Sequence, residues 1–201
     1  MAFTIALSTV RTPLRKSMLA AAVACVLSTI AQARECLGVS FPEQSQLDGR
    51  ALALNGLGIR QATIFRINVY VAALYLPKPS ADAGAILAAD SPYIVQMHFV
   101  RAVSAADIAK GWTEGFERNA QGGLPASDPR VAMVRSRMSD VKSGQEIQLA
   151  FTPGSGVDVK VNGVEKGIIQ GDEFGHALLA LWIGVPPNPG LKAGLLGGRC
   201  E

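Results

Sequence analysis

Apolar and polar residues alternate along several short stretches of this chain, and each stretch predicts a β-strand. The longest runs from Ile59 to Leu76, where the odd positions from Phe65 onward are apolar and the even positions become apolar at Tyr70. A period of two that ends apolar on both faces is typical of a strand that enters a covered core. Further strands are predicted at 39–41, 51–54, 93–100, 146–152, 157–161 and 164–169, with an Asn-Gly turn between the last two.

Capping residues and hydrophobic spacing predict the helices. Ser104 opens a capping box, and Ile108, Trp112 and Phe116 follow at a spacing of four, which predicts an amphipathic helix to about Ala120. Other helices are predicted at 80–89, 128–138 and 172–184. Strands on both sides of a helical block, mostly in hairpins, predict an α+β fold in which helices pack on one face of an antiparallel β-sheet.

The first 33 residues have the pattern of a secretory signal peptide. Three basic residues precede an uncharged, Ala-rich run from Met18 to Ile30, and Ala31-Gln32-Ala33 supplies an A-x-A cleavage site. This run is shorter than the roughly 20 residues that a membrane-spanning helix needs. We therefore expect cleavage near Ala33 and a periplasmic or secreted protein with no stable membrane anchor. Lipid attachment at Cys25 is an alternative, but it would divide the apolar run.

Removal of the leader changes the charge and the cysteine content. The leader holds three of the 19 basic residues and none of the 16 acidic ones, so residues 34–201 have no formal net charge. A nucleic-acid-binding surface is therefore not predicted, and the remaining length suits one domain. Cys36 and Cys200 lie at the ends of this domain. They are either paired in a disulfide, which an oxidising compartment favours, or free surface thiols.

Two blocks of the sequence resemble the chalcone isomerase-like family. The first is Gly56-Leu-Gly-Ile-Arg60, which we interpret as a glycine turn, followed by a strand that ends in Leu74-Tyr-Leu76. The second is 174–186, followed by Leu191-Lys192 and Leu195-Leu-Gly197. Together they cover about 38–197. The resemblance implies an open-faced β-sandwich with a ligand cleft enclosed by the sheet and the helices.

The resemblance makes Arg60 the first candidate for ligand binding, because its position is that of the ligand-facing arginine in the isomerases and in their fatty-acid-binding relatives. A guanidinium group suits a carboxylate or phenolate, although a surface arginine paired with an acid is the alternative. Tyr70 shares the parity of Arg60 and takes the place of a threonine that helps to hold the ketone in plant isomerases. Tyr75 falls on the opposite face, in the core. Trp112 and Phe116 are expected in the core and, if the cleft lies between helix and sheet, in its wall.

The chain departs from the catalytic members of the family. Active isomerases carry a tyrosine at a strand-to-helix junction, and no tyrosine lies between Val100 and Trp112. Active isomerases also carry a lysine and an asparagine on the following helix. Lys110 and Asn119 lie in the corresponding predicted helix, and the resemblance does not assign either of them to the family position. Loss of a group that polarises the substrate carbonyl argues against efficient catalysis.

Other chemistry is not predicted. The two histidines, His98 and His176, have no carboxylate or cysteine at ligand spacing, so neither a metal nor another cofactor is expected. We expect a non-catalytic binder of a small apolar ligand with an anionic end, such as a fatty acid. One alternative is an intramolecular lyase or isomerase of the chalcone isomerase type, with Arg60 stabilising an oxyanion. Another is a structural or partner-binding envelope protein whose cleft is filled by its own side chains, with partners that the sequence does not identify.

Overall fold

Nine strands and five helices make up the part of the chain that the computed structural model describes, which is Met1 with residues 32–121 and 123–201. The strands are β1 (Ala33–Cys36), β2 (Val39–Pro42), β3 (Gln44–Leu47), β4 (Arg50–Ala62), β5 (Ile67–Leu76), β6 (Tyr93–Phe99), β7 (Glu146–Thr152), β8 (Gly156–Val161) and β9 (Val164–Ile169). The helices are α1 (Ala83–Ala88), α2 (Ala105–Arg118), α3 (Pro129–Ser136), α4 (Asp172–Ile183) and α5 (Pro189–Leu195).

Strands β3 to β9 form one antiparallel sheet in which neighbours in sequence are neighbours in space. Ala72, Leu74 and Leu76 of β5 belong to the larger core cluster, which includes residues of the helices. Val71 and Tyr75 lie on the other face, in a second cluster with residues of the separate β1–β2 hairpin. An antiparallel sheet with the helices on one face confirms the α+β prediction.

The prediction of one continuous strand from Ile59 to Leu76 is wrong, because the chain reverses at residues 63–66. Thr63 and Arg66 have positive φ values of 63° and 52°, and the amide of Arg66 donates to the carbonyl of Thr63 at 3.2 Å. The turn contains no glycine or proline, and its central residues Ile64 and Phe65 are apolar. The usual sequence marks of a turn are therefore absent.

The interpretation of Gly56-Leu-Gly58 as a turn is also wrong, because both glycines lie inside β4. Helix α5 packs directly on this strand. A Cβ atom on Gly56 would overlap the carbonyl oxygens of Gly194 and Leu195, and one on Gly58 would overlap the carbonyl oxygen of Leu191. The glycines therefore permit a close approach of helix and strand backbones. The hydrophobic pattern predicts no helix at α5, which has only seven residues.

The buried side chain of Asn55 fixes the end of α5 to the sheet. Its Nδ2 donates to the carbonyl of Leu195 at 2.7 Å and to the carbonyl of Ser80 at 3.0 Å, and its Oδ1 accepts from the amide of Ser80 at 2.7 Å. Ser80 is the predicted cap of α1, but its hydroxyl accepts from the amide of Asp82, and the side chain of Asp82 caps the helix by accepting from the amide of Ala85. A fully hydrogen-bonded amide can be buried at little net cost.

Both ends of the fold meet at a disulfide between Cys36 and Cys200, whose Cα atoms are 6.1 Å apart. Cys36 is buried beside Phe41 and Tyr75 in the smaller core cluster. The phenol of Tyr75 donates to the carbonyl of Pro42 at 3.1 Å, so this tyrosine connects the sheet to the β1–β2 hairpin.

Apart from Met1, Gln32 and Ala33, the predicted signal peptide lies outside the described residues, and so does Cys25. The first described strand, β1, starts at Ala33, beside the predicted cleavage site. Arg34 forms an ion pair with Glu43 at 2.9 Å and also donates to the carbonyl of Leu54. Across the described ranges, none of the helices has the length and apolar character needed to cross a membrane.

Candidate functional site

A cleft of about 530 Å³ lies between the sheet and the helices α2 and α4. This volume is within the range of about 300–1,000 Å³ found for small-molecule sites. Its apolar lining comes mainly from four strands and two helices, and includes Ala62, Val69, Met97, Phe99, Trp112, Ile147, Leu181 and Trp182. The cleft therefore offers an apolar ligand a largely aromatic and aliphatic surface.

Arg60 lies at the end of β4, where α5 no longer covers the strand, and lines the cleft. The side-chain amide of Asn188 holds the backbone on both sides of it, by donating to the carbonyl of Ile59 at 2.9 Å and accepting from the amide of Gln61 at 3.1 Å. Arg60 is paired with Tyr70 across the β4–β5 ladder, so the two side chains share one face. The register shifts immediately after this pair, and both Val69 and Tyr70 line the cleft.

The charged residues of the lining give the cleft an excess of positive charge. Four are basic (Arg60, Arg101, Lys110 and Arg118) and two are acidic (Asp107 and Glu114). Glu114 lies 3.9 Å from Lys110 and 4.0 Å from Arg118, and Asp107 accepts from the hydroxyl of Ser104 at 2.7 Å. Within residues 32–121 and 123–201, neither Arg60 nor Arg101 forms an ion pair. An anionic ligand would meet cations that are not neutralised.

Tyr70 connects the sheet wall of the cleft to α4. Its hydroxyl accepts a hydrogen bond from Nε1 of Trp182 at 3.2 Å, and its ring meets the edge of Phe99 at a centroid distance of 5.3 Å. Burial raises the pKa of Tyr70 above its ordinary value of 10.0, and the positive charge of Arg60, the Trp182 hydrogen bond and the charge of Arg118 oppose this shift. The phenol is therefore neutral at physiological pH and can donate its proton to an acceptor in the cleft.

Trp112 lies in the cleft wall with a hydrogen-bond donor left over. The side chain packs edge-on against Trp182 at 5.6 Å, and its buried Nε1 has no partner among the described residues. Buried polar atoms are almost always hydrogen-bonded. Trp112 therefore presents a spare donor in a site whose other polar groups are also mainly donors.

Two of the aromatic residues singled out in the sequence lie away from the cleft. Phe116 does not line it, but is buried in the core and stacks on Phe174 at 5.9 Å. One helical turn separates it from Trp112, and this turn carries it behind the cleft wall. Tyr75 lies on the opposite face of the sheet, where its parity predicts it.

Of the two further residues considered for catalysis, Lys110 lines the cleft and Asn119 does not. The junction between β6 and α2 is Val100–Ser104, which contains no tyrosine. Lys110 is exposed at the cleft and lies near Glu114. Asn119 closes the end of α2 instead, since its amide donates to Gly115 and Val185 and accepts from the amide of Val185 at 2.8 Å.

Several residues that line or support the cleft are not predicted from the sequence. Trp182 lies within a recognised block but has no partner that the sequence would indicate, because Tyr70 is 112 positions away. Arg118 and Arg101 are ordinary basic residues in sequence terms. Asn188 follows Pro187, and only its contact with β4 gives it a role.

Comparisons with known proteins agree with this architecture. Residues 33–197 match the family described as chalcone isomerase-like. Among solved structures, the fold is similar to that of the Arabidopsis thaliana fatty-acid binding protein AtFAP1, with a TM-score of 0.68 and 17% sequence identity over 82% of this chain and 96% of that chain. A search of curated protein sequences found no match. Because the matched range covers most of the chain, this protein belongs to the chalcone isomerase-like family.

Proposed function

We propose that this protein is a non-catalytic carrier of a small apolar ligand with an anionic end, such as a fatty acid, and that it acts outside the cytoplasm. The observation that carries the proposal is the arrangement of Arg60, which forms no ion pair with any described residue, beside the neutral phenol of Tyr70 at an aromatic cleft of about 530 Å³. The similarity in fold to a protein known as a fatty-acid binding protein adds support.

The polar groups of the cleft suit a carboxylate better than a neutral headgroup. Arg60, Tyr70 and the Nε1 atom of Trp112 can all donate, and a carboxylate accepts several hydrogen bonds at once. The apolar lining would bury the hydrocarbon chain, at about 25 cal/mol per Å² of apolar surface removed from water. Charge would therefore orient the ligand, and the hydrophobic effect would supply most of its affinity.

Substitution of Arg60 by alanine is expected to weaken binding of a long-chain fatty acid by about ten- to a hundredfold. The reason is the loss of a charge-assisted hydrogen bond worth roughly 1.5–3 kcal/mol. The fatty alcohol of the same chain length has no charge, and its affinity should change little. Titration calorimetry with the two ligands on the parent protein and on Arg60→Ala measures the difference.

Two variants serve as controls for this experiment. Arg50→Ala removes an exposed arginine from the other end of β4 and should leave both affinities unchanged. Tyr70→Phe removes a neutral donor and should weaken acid binding less than Arg60→Ala does. Equal affinities of the parent protein for the acid and the alcohol would exclude the role given to Arg60.

The isomerase alternative rests on the same pair of residues, because Arg60 and a protonated Tyr70 could stabilise an oxyanion. The missing tyrosine between β6 and α2 weighs against it. If the parent protein turns over a chalcone-like substrate and both Arg60→Ala and Tyr70→Phe lose this activity, the isomerase function would be favoured over the carrier function.

Export is the part of the proposal that rests on the leader alone. We expect the protein recovered from the periplasm or medium to begin at Arg34, because Ala31-Gln32-Ala33 has the form of a signal-peptidase site. Such cleavage would leave the Arg34–Glu43 ion pair in place. N-terminal sequencing measures the start directly, and a lipid-modified start at Cys25 would contradict the prediction.

A further inference from the structure

The tip of the β4–β5 hairpin presents two large apolar side chains to solvent. Ile64 is 89% exposed and Phe65 is 79% exposed, more than any other large apolar side chain in residues 32–121 and 123–201. Single exposed apolar residues are common on protein surfaces. Ile64 and Phe65 are two consecutive exposed apolar residues at a hairpin tip, where polar residues would serve the fold equally well. Packing of the fold therefore does not account for them.

The hairpin tip is a defined turn and not a frayed loop. In addition to the Arg66–Thr63 backbone bond, the amide of Phe65 donates to Oγ1 of Thr63 at 3.3 Å. Nε of Arg66 donates to Oε1 of Gln61 at 2.9 Å, and Nε2 of Gln61 donates to Oδ1 of Asn68 at 3.1 Å. These bonds hold the turn in one conformation, so an apolar environment could receive Ile64 and Phe65 with little further loss of backbone entropy.

The same hairpin carries only positive charge. From Arg50 to Ala81 the chain contains no acidic residue, whereas Arg60 lines the cleft and Arg66 closes the turn. Ala62 and Thr63, which lead into the tip, also line the cleft, as does Arg101. The exposed apolar tip and the positively charged cleft are therefore continuous.

We propose that the β4–β5 tip docks the protein on an anionic lipid bilayer. Ile64 and Phe65 enter the interfacial region of the membrane, and Arg66, with Arg60 and Arg101 behind it, faces the lipid phosphates. The cleft then opens toward the membrane, which is the source of its ligand. Only this last step rests on the proposed function, because docking itself requires no ligand in the cleft.

The test compares binding of the purified protein to two kinds of vesicle by flotation. Vesicles of phosphatidylethanolamine and phosphatidylglycerol should bind the parent protein, with an affinity that falls as salt is raised, and vesicles of pure phosphatidylcholine should bind it weakly. The double variant Ile64→Ser/Phe65→Ser should lower partitioning to the anionic vesicles by about tenfold or more, since two apolar side chains no longer enter the membrane. Arg66→Gln should reduce the dependence on salt.

The matched control is Val164→Ser/Ile168→Ser, which removes two exposed apolar side chains from the edge strand β9, at the far side of the sheet. It should leave vesicle binding unchanged. In vesicle-free buffer, the tip variant should bind fatty acid with the affinity of the parent. This measurement separates failure of docking from failure of the carrier function, which Arg60→Ala tests.

Four results would overturn the proposal. The first is failure of the parent protein to bind the anionic vesicles, and the second is equal binding of the tip and control variants to them. The third is loss of fatty-acid affinity by the tip variant in vesicle-free buffer, which would show that the tip is part of the ligand site. The fourth is conversion of a dimeric parent to a monomer by the tip substitutions, measured by sedimentation, which would show that the tip contacts a second copy of the chain.

Discussion

Replacing Cys36 and Cys200 together by serine is expected to lower the free energy of unfolding by as much as about 5 kcal/mol. The disulfide joins residues that are 164 positions apart, so it closes almost the whole domain into one loop. In the chain-entropy account, a link over so long a loop removes many conformations from the unfolded state. It also retains the edge of the smaller core, where Cys36 packs near Phe41.

Urea unfolding of the parent protein, with and without reductant, and of the double serine variant measures this contribution. The reduced parent and the variant should unfold at the same, lower urea concentration, and reductant should have no further effect on the variant. A midpoint for the variant equal to that of the oxidised parent would show that the link contributes nothing to stability.

Substitution of Gly58 by alanine is expected to destabilise the fold by about 3 kcal/mol or more, at the upper end of the range for overpacking. The added methyl group would overlap the carbonyl of Leu191 in α5. Both partners are backbone, so no side chain can rotate away, and α5 would have to move off the strand. Such movement would also disturb Asn188, which holds the backbone on either side of Arg60.

Gly111→Ala is the control, with an effect of opposite sign. Gly111 lies in the exposed middle of α2, and an added Cβ atom would meet nothing within 4 Å. Alanine should stabilise this helix by about 0.5–1 kcal/mol, because it restricts the unfolded chain. Unfolding midpoints of the two variants and the parent provide the measurement. A Gly58→Ala protein as stable as the parent would contradict the close approach of α5 and β4.

The elements predicted well are those whose signals are local. Helix α2 begins after Ser104, as its capping box predicts, and the side chain of Ser104 accepts from the amide of Asp107 at 3.1 Å. Strands β7 and β9 have the predicted bounds. Caps, alternation and an Asn-Gly turn involve residues within a few positions of one another, and a single sequence displays them directly.

The glycines before Arg60 show where such signals fail. A Gly-x-Gly segment predicts a turn, yet here it lies inside β4 and allows the backbone of α5 to approach the strand closely. The true turn, at 63–66, has apolar residues that prolong the alternation of β4 into β5. Arg60 and Tyr70 nevertheless lie on one face, as their even spacing predicts. They do so because the shift in register comes directly after their pair.

The sequence by itself determined the fold class and the two families of core residues on either face of β5, because each depends on spacing along one segment. The tertiary structure decided that Arg60 and Tyr70 share a face, since this depends on the turn at 63–66 and on the register shift beside their pair, and it decided which groups surround Arg60. Asn188 reaches it from 128 positions further along the chain, and Trp182 meets Tyr70 across the cleft. Local patterns cannot encode such contacts, since they arise only when helices α4 and α5 pack on the sheet.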